Sequence, residues 1–398
     1  MKIPVTIRIS SLNTVIMLIL LYCIVFVNLP CFPMYVTVKR ILTFVLFLMM
    51  TAGPVLIPVK KSTAYIMLVY IICTLFSSFI NEGIYSYSHP LVSGFFYSVS
   101  VIELFTVFSY AANTIGIYYT ISVLYRLTMV FVLINDIFIL ISPFYFFRYG
   151  YYYFAGNKFS VCYKHIEWIV LFFMKNSLQN IKKPSCYFAV ICFFVISLLV
   201  SIRVNCMTGT ASIILLSVLL MPVSKAVIDK KAFAACLFVY SAVFPFVYGF
   251  IMNKNDINFL VTQIFHRNKG LTGRAVIYDI LPEILRNHLL FGRGYNTAYE
   301  VWITSTNWYP NAQNGFWNCV CEQGLVAAAL LSLFTVFSFG KNANKASYPL
   351  MAAISVYLFS GSVEITMDLA FIAWVILLYV IKGDYYGTSC RKCDSTRF

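Results

Sequence analysis

Three arginines stand close together in LTGRAVIYDILPEILRNHLLFGRGYN, the stretch from Leu271 to Asn296. They are Arg274, Arg286 and Arg293, in a chain of which only 11% is charged. A guanidinium binds phosphate through two parallel hydrogen bonds and stays charged at physiological pH. Arg274 begins a predicted helix, whose free N–H groups also favour an anion, and Arg293 lies between two glycines that permit a sharp turn. The stretch therefore predicts a phosphate or diphosphate site.

An amphipathic helix is predicted to carry the first two of these arginines. After Thr272, a suitable N-cap, apolar residues recur at helical spacing, while acidic and basic residues fall on the other face. The apolar positions are Val276, Ile277, Ile280, Leu281, Ile284 and Leu285. Pro282 is expected to bend the helix. Glu283 and Arg286 are also spaced for an ordinary solvated pair, so Arg286 is either a ligand or a surface residue.

The following stretch, NWYPNAQNGFWNCVCEQGL, mixes aromatic and amide side chains. Trp308 and its aromatic neighbours form either an interfacial belt or a platform for sugar rings. Gln313 and Asn314 can both donate and accept hydrogen bonds to sugar hydroxyls. The two interpretations have equal weight on the sequence alone.

The composition places these residues in a membrane protein. Of the 398 residues, 61% are hydrophobic and 18% are aromatic, far from the balance of a soluble domain. Residues 1–398 are therefore predicted to form one all-α, polytopic integral membrane domain. A spanning helix needs roughly 20 apolar residues, and about twelve segments approach that length: 12–32, 41–59, 64–80, 92–112, 119–142, 160–174, 184–202, 209–223, 232–252, 319–340, 346–362 and 367–382. The sixth and eighth are short, so about eleven spans or a re-entrant piece are also compatible.

Basic residues in the short loops predict that both termini are cytoplasmic. The long segment 253–318 then lies on the outer face and carries the predicted site. The formal net charge of +15 is spread over loops, which indicates orientation and anionic membrane lipids rather than a nucleic-acid partner. The single CxxC, Cys390 to Cys393, is too little for zinc, and no phosphate-loop motif is present. Neither a metal nor a cofactor is predicted.

Ionisable residues inside predicted spans are costly and are candidates for function. Glu103, Arg126 and Asp136 are three of these, and a Glu103–Arg126 pair that fixes helix registry is the favoured interpretation. Glu364 and Asp368 flank the turn between the last two segments. They either border a cavity entrance or are ordinary loop acids, the interpretation that we favour.

The series TGR (272–274), FGRGYN (291–296) and NAQNGFWNCVCEQGL (311–325), followed by an apolar span, resembles the signature region of the O-antigen polymerase and O-antigen ligase superfamily of bacterial membrane glycosyltransferases. The resemblance covers the multi-span layout loosely and residues 272–325 more specifically. Members transfer a glycan from undecaprenyl diphosphate to an acceptor sugar at the periplasmic face, in a fold similar to the type-C glycosyltransferases. The resemblance implies that Arg274 and Arg293 hold the lipid diphosphate.

The sequence departs from the family pattern at two places. Ligase members carry a histidine where Gln313 stands, and glutamine cannot accept a proton near neutral pH. This departure favours a polymerase and leaves the base unassigned, with Glu300 ranked first among the loop residues. The family also places an arginine after a TGS motif, where TGTA (208–211) has alanine, so Arg203 either substitutes for it or is an interfacial anchor.

The resemblance therefore implies an inner-membrane enzyme that polymerises undecaprenyl-diphosphate-linked oligosaccharides into O-antigen or a related surface polysaccharide. A chain-length regulator protein is an expected partner. Two alternatives are a ligase that transfers finished polymer to the lipid A core and a non-enzymatic flippase for lipid-linked sugars. The flippase would show internal pseudo-symmetry and charges that line a central cavity.

Overall fold

The computed structural model describes residues 5–29, 32, 34–51, 61–141, 153–179, 184–252, 274–340 and 346–382. Within these ranges the secondary structure is α-helical, apart from a 3-10 turn at Pro222–Ser224 and an isolated bridge between Tyr153 and Gly156. The α-helices, numbered here in chain order, are α1 Val5–Val25, α2 Tyr35–Thr51, α3 Lys61–Ile80, α4 Pro90–Thr114, α5 Ile117–Ile141, α6 Lys158–Gln179, α7 Pro184–Arg203, α8 Met207–Leu219, α9 Lys225–Ile228, α10 Lys231–Met252, α11 Arg274–Leu285, α12 Ala298–Thr306, α13 Gly315–Ser338, α14 Ser347–Ser360 and α15 Leu369–Lys382.

Each apolar segment predicted from the sequence overlaps one of these helices. In the described part of the chain, α4, α5, α13 and the 231–248 part of α10 are long and apolar enough to cross a membrane. The helix α8 and the residues 222–228 that follow it form a pair bent by 80°, which is either a fifth, broken span or a re-entrant loop. The chain is therefore a helical membrane protein, and the number of spans stays a prediction.

The centre of the bundle is occupied by α14 and α15, which are buried over most of their length. Trp374 and Phe371 of α15 have almost no exposed surface. A helix that is apolar all round is stable only when other helices or lipid cover it, and here α4, α6 and α10 pack around this pair. The turn between α14 and α15 therefore lies where several helix ends meet.

The predicted amphipathic helix is present as α11. Ile277, Leu281 and Ile284 are buried, whereas Asp279 and Glu283 are exposed, as the spacing predicted. Val276 is an exception, with an exposed side chain. The predicted N-cap at 272 and the CxxC at 390–393 lie outside the described residues.

The predicted pair between Glu103 and Arg126 does not form. Both carboxyl oxygens of Glu103 are buried and have no hydrogen-bond partner among the described residues, and the side chain of Arg126 is exposed. Arg126 lies on an exposed face of α5, and sequence separation alone does not reveal which way a side chain on that helix faces.

A buried polar network that the sequence analysis missed runs through α6. Lys164 Nζ contacts both carboxylate oxygens of Glu167, at 2.9 and 2.7 Å. His165 Nε2 lies 3.2 Å from Asp136 Oδ1, and its Nδ1 lies 3.1 Å from Ser197 Oγ. The contacts of His165 join α5, α6 and α7, and the Lys164–Glu167 pair lies within α6. The i, i+3 spacing of lysine and glutamate in this segment was the available signal.

Candidate functional site

The glycine-flanked turn at 291–296 packs against a break in α13. Gly324 has φ +90°, a non-helical conformation inside that helix. A Cβ on Gly292 would lie 2.6 Å from the backbone of Glu322, and one on Gly324 would lie 2.2 Å from the carbonyl oxygen of Leu290. Only glycine permits such an approach. The glycines therefore allow close contact between two segments of the protein backbone.

Hydrogen bonds fix the two segments to each other. The N–H of Arg293 donates to the carbonyl of Cys321 and the N–H of Gly294 to the carbonyl of Glu322, both at 2.8 Å, while the N–H of Leu325 donates to Leu289. The break in α13 frees these carbonyls from the helix ladder, and the turn satisfies them. The FGRGYN and CEQGL motifs, far apart in sequence, thus form one unit.

This unit presents Tyr295 and Asn296 to a cavity at one end of the helix bundle. The ring of Tyr295 stacks on Tyr97 of α4, with centroids 4.1 Å apart. Its backbone N–H donates to Ser78 Oγ of α3 at 3.2 Å. The rigid turn thereby holds two of the motif side chains at the wall of the cavity.

The cavity has a volume of about 490 Å3. Its charged and polar lining includes Lys39 and Arg40 at the start of α2, and its aromatic lining includes Tyr35 and Phe96. Lys39 Nζ lies 4.7 Å from the centre of the Tyr35 ring, and the Arg40 guanidinium lies 5.5 Å from that of Phe96. Aromatic faces hold such cations without neutralising them, so both charges remain available to an anion.

Asp368 faces the same cavity from the start of α15. One of its oxygens, Oδ1, caps the helix by accepting the N–H of Phe371 at 3.0 Å, which is the usual role of an aspartate at this position. The side chain is nevertheless exposed to the cavity, and it lies within electrostatic range of Lys39. The cavity therefore combines two cations with one carboxylate.

Arg274 forms a buried ion pair with Glu364. Its Nη2 lies 2.8 Å from Glu364 Oε1 and 3.0 Å from the carbonyl of Val363. The exposed fractions of the two side chains are 12% and 7%. Burial raises the pKa of Glu364 to about 7, against the opposing effect of the Arg274 charge. The pair ties α11 to the α14–α15 turn, four residues before Asp368.

Arg293 is held at the opposite end of α11. Its Nε donates to the carbonyl of Ile284 at 2.9 Å. Arg274 begins the same helix, and the intervening helix rises about 15 Å at 1.5 Å per residue. The structure therefore does not gather the two predicted phosphate ligands at one point.

Glu300 accepts three backbone hydrogen bonds from the loop between α3 and α4. Its oxygens lie 2.7 Å from the N–H of Ser86, 3.1 Å from that of Tyr87 and 2.8 Å from that of Ser88. Desolvation would raise the pKa of Glu300, but hydrogen bonds from the Ser88 side chain and from these three backbone N–H groups outweigh it and hold the pKa below the ordinary value. A carboxylate held in this way is a poor proton acceptor and a good anchor.

Gln313 and Asn314 have local structural contacts. Gln313 has a positive φ of 48°, and its side-chain amide donates to Asn311 Oδ1 at 2.9 Å. Asn314 is fully buried and caps α13 by accepting the N–H of Trp317 at 2.9 Å. Its amide also donates to the carbonyls of Ser241 and Ser362. Asn314 thus joins α10, α13 and the α14–α15 turn.

The remaining predicted site residues have exposed side chains. Trp308 is 83% exposed, Arg286 follows the end of α11, and Arg203 ends α7. None of the three is among the residues that line the cavity. Their proposed roles in substrate binding stay predictions.

The sequence motifs assigned no binding role to Lys39 and Arg40. Two adjacent cations at the start of an apolar helix were the available signal. Asp368 was considered for a cavity entrance and does line the cavity. Glu364, named with it, is instead the partner of Arg274.

Among the described residues, no group of three or more histidine, cysteine, aspartate or glutamate side chains is arranged to hold a metal ion. No protein-family model matches the chain, and neither a curated protein nor a solved structure matches it. The site itself and the motif resemblance are therefore the two indications of function.

Proposed function

We propose that the chain is a membrane glycosyltransferase that polymerises undecaprenyl-diphosphate-linked oligosaccharides at the outer face of the bacterial inner membrane. The observation that carries the proposal is the cavity in which Lys39 and Arg40 meet Asp368 and the motif residues Tyr295 and Asn296. Cations, a carboxylate and hydrogen-bonding groups at one end of an apolar bundle fit a substrate with a lipid tail, a diphosphate and a sugar.

Lys39 and Arg40 are proposed to hold the diphosphate of the donor. The two residues are adjacent and both half-buried, so their charges are less screened than those of exposed side chains. Positive charge at the leaving group stabilises the negative charge that develops on it as the glycosidic bond breaks. This assignment replaces Arg274 in the role of phosphate ligand, because Arg274 is already paired with a carboxylate.

Asp368 is proposed to accept the proton of the acceptor sugar. The acceptor oxygen attacks the anomeric carbon, the bond from that carbon to the diphosphate oxygen breaks, and the diphosphate leaves with the electron pair. The hydroxyl proton passes to the carboxylate. The carboxylate of Asp368 caps α15, and its exposure to the cavity allows an oxygen of it to accept the hydroxyl proton.

Tyr295 and Asn296 are proposed to orient the sugars. An aromatic face fits the apolar face of a sugar ring, and an amide can donate to one hydroxyl while it accepts from another. The growing chain moves from its carrier onto the newly arrived unit. The product is a longer glycan that remains on undecaprenyl diphosphate.

The proposal is tested on surface polysaccharide separated by gel electrophoresis. A strain that lacks the chain should carry single repeats on its lipid A core, and the Lys39→Met/Arg40→Met variant should reproduce this pattern. Arg286→Met is the matched control, since it removes an exposed cation that does not line the cavity. Long polymer in the deletion strain would refute the function, and polymer that accumulates on its lipid carrier would indicate a ligase.

Asp368→Asn separates catalysis from folding. Asparagine caps helices as well as aspartate, but it cannot accept a proton. Loss of a general base lowers rates by about 10²- to 10⁴-fold, so polymer should disappear while the amount of folded chain in the membrane is unchanged. Normal polymer in this variant would remove Asp368 from the chemistry.

A further inference from the structure

Two buried cysteines, one in a helix and one just before another helix, meet at one end of the bundle. Cys162 lies in the second turn of α6, and Cys206 immediately precedes α8. Their residues are 0% and 1% exposed, and the two thiols are close enough to interact electrostatically. All of α7 lies between them in the chain.

A missing side chain makes room for the two sulfurs. A Cβ placed on Gly209 would lie 2.3 Å from the Sγ of Cys162 and 3.0 Å from that of Cys206. The sulfurs are therefore no more than about 5.3 Å apart, and both lie next to the volume that this glycine leaves free. A disulfide needs a separation of about 2.05 Å, so forming one requires the two short side chains to rotate towards each other. The close approach of the two sulfurs explains why the TGTA segment has a glycine at position 209.

The cysteine pair and the cavity lie at the same face of the bundle. The turn that leads into α6 includes Gly156, and a Cβ at that residue would lie 3.3 Å from Nδ2 of Asn28, which lines the cavity. Both cysteines belong to one apolar cluster, against which Val27 and Leu29 pack. Before the helices pack, the two thiols are therefore exposed to the same compartment that the cavity faces.

We propose that Cys162 and Cys206 form a disulfide in the mature protein. The inference rests on the proposed function, which places the cavity at the periplasmic face, where disulfides form and persist. One cysteine attacks the disulfide of an external oxidoreductase to give a mixed disulfide, and the other cysteine displaces the second sulfur of that protein. The two cysteines are oxidised to one disulfide, and the external disulfide is reduced to two thiols. The exchange takes place as the helices assemble, before the sulfurs are covered.

The cross-link would fix α8 against α6. Ser212 of α8 is hydrogen-bonded through its Oγ to that of Ser360 at the end of α14, at 2.7 Å. The turn that begins there carries Glu364 and Asp368. The disulfide would therefore brace, through α8, the turn that lines the cavity. Both cysteines act as positioning residues in this arrangement.

The test labels the thiols of the full-length chain in denatured membranes, so that burial does not limit access. Membranes are dissolved in sodium dodecyl sulfate with N-ethylmaleimide, and the purified chain is analysed by mass spectrometry before and after reduction. Without reductant, two of the twelve cysteines should stay unlabelled, and digestion should give a peptide in which Cys162 is joined to Cys206. After reduction all should be labelled.

Single substitutions identify the pair. Cys162→Ser should expose Cys206 to labelling without reductant, and Cys206→Ser should expose Cys162. Cys192→Ser, on α7 and outside the apolar cluster that surrounds the pair, is the matched control and should leave the joined peptide intact. Complete labelling of Cys162 and Cys206 in the unreduced wild-type chain would overturn the proposal.

The outcome is independent of polymer formation. Fully labelled cysteines in a strain that makes normal polymer would reject the disulfide and leave the proposed function standing. A joined peptide together with unchanged polymer in the deletion strain would reject the function, and it would still show that this end of the bundle faces an oxidising compartment.

Discussion

The ion pair between Arg274 and Glu364 offers a direct way to distinguish a positioning arginine from a phosphate ligand. The pair is nearly enclosed, with 12% and 7% of the two side chains exposed, and the contact is 2.8 Å. Removing one partner of a buried pair leaves an uncompensated charge, which costs about 3–5 kcal/mol. At 1.4 kcal/mol per tenfold change, a loss of about 3 kcal/mol lowers the folding equilibrium constant roughly 100-fold.

Three variants define the experiment: Arg274→Glu, Glu364→Arg and the double exchange. Each single variant places two like charges together, so its melting temperature in detergent should fall and its polymer should be lost. The double variant restores the pair in reverse order and should recover most of the stability. If Arg274 positions the α14–α15 turn, the double variant should also recover polymer.

A phosphate ligand gives a different result. In that case the double variant would fold but place a carboxylate where the diphosphate binds, and polymer would stay absent. A stable, inactive double variant would therefore refute the positioning role. Arg274 lowers the pKa of Glu364, so Glu364 ionises at a higher pH in Arg274→Met than in the wild-type chain. Wild-type stability of Arg274→Met at a pH high enough to ionise Glu364 would refute the energetic argument itself.

Three further results are expected. Burial raises the pKa of Glu364 from 4.5 to about 7, so between these values the folded chain binds a proton that the unfolded chain releases. The stability contributed by this group is therefore lost as the pH rises from 4.5 to about 7. Glu364→Gln should flatten the pH dependence of the melting temperature. Gly324→Ala should lower stability by about 3 kcal/mol, since its Cβ would lie 2.2 Å from the Leu290 carbonyl oxygen. The control is Gly83→Ala, which has a similar φ and no neighbour within 4 Å and so measures backbone strain alone. Equal melting temperatures for the two variants would contradict the clash. Arg286→Ala, at an exposed position, should leave the length distribution of polymer unchanged on gels. Shortened polymer in this variant would indicate that Arg286 does bind substrate.

The positions of the helices could be predicted from the sequence because a bilayer restricts the backbone conformations that a chain can adopt. Every backbone group in a bilayer must be hydrogen-bonded internally, so a long apolar run is almost obliged to be helical. The face of α11 was also predictable, since Ile277, Leu281 and Ile284 follow its period. The unpaired Glu103 shows what the sequence could not predict. Spacing along the chain does not reveal how one helix is rotated relative to the next.

The motifs identified a region correctly and left its arrangement open. The glycines of FGRGYN predicted a sharp turn, and Gly292 and Gly294 have positive φ values. Their packing against Gly324 could not be predicted, because it depends on a break inside α13. The contacts of Arg274 were equally hidden, since its partner Glu364 lies far along the chain.

The sequence by itself determined that this chain is a helical membrane protein with a polar segment before its last helices, since composition and periodicity are properties of the chain alone. The tertiary structure decided which charges meet. Lys39, Arg40 and Asp368 reach one cavity because the starts of α2 and α15 lie at the same end of the bundle, whereas Arg274 is neutralised by a neighbouring turn. Electrostatic interactions depend on distance and burial, and both are set only when the helices have packed.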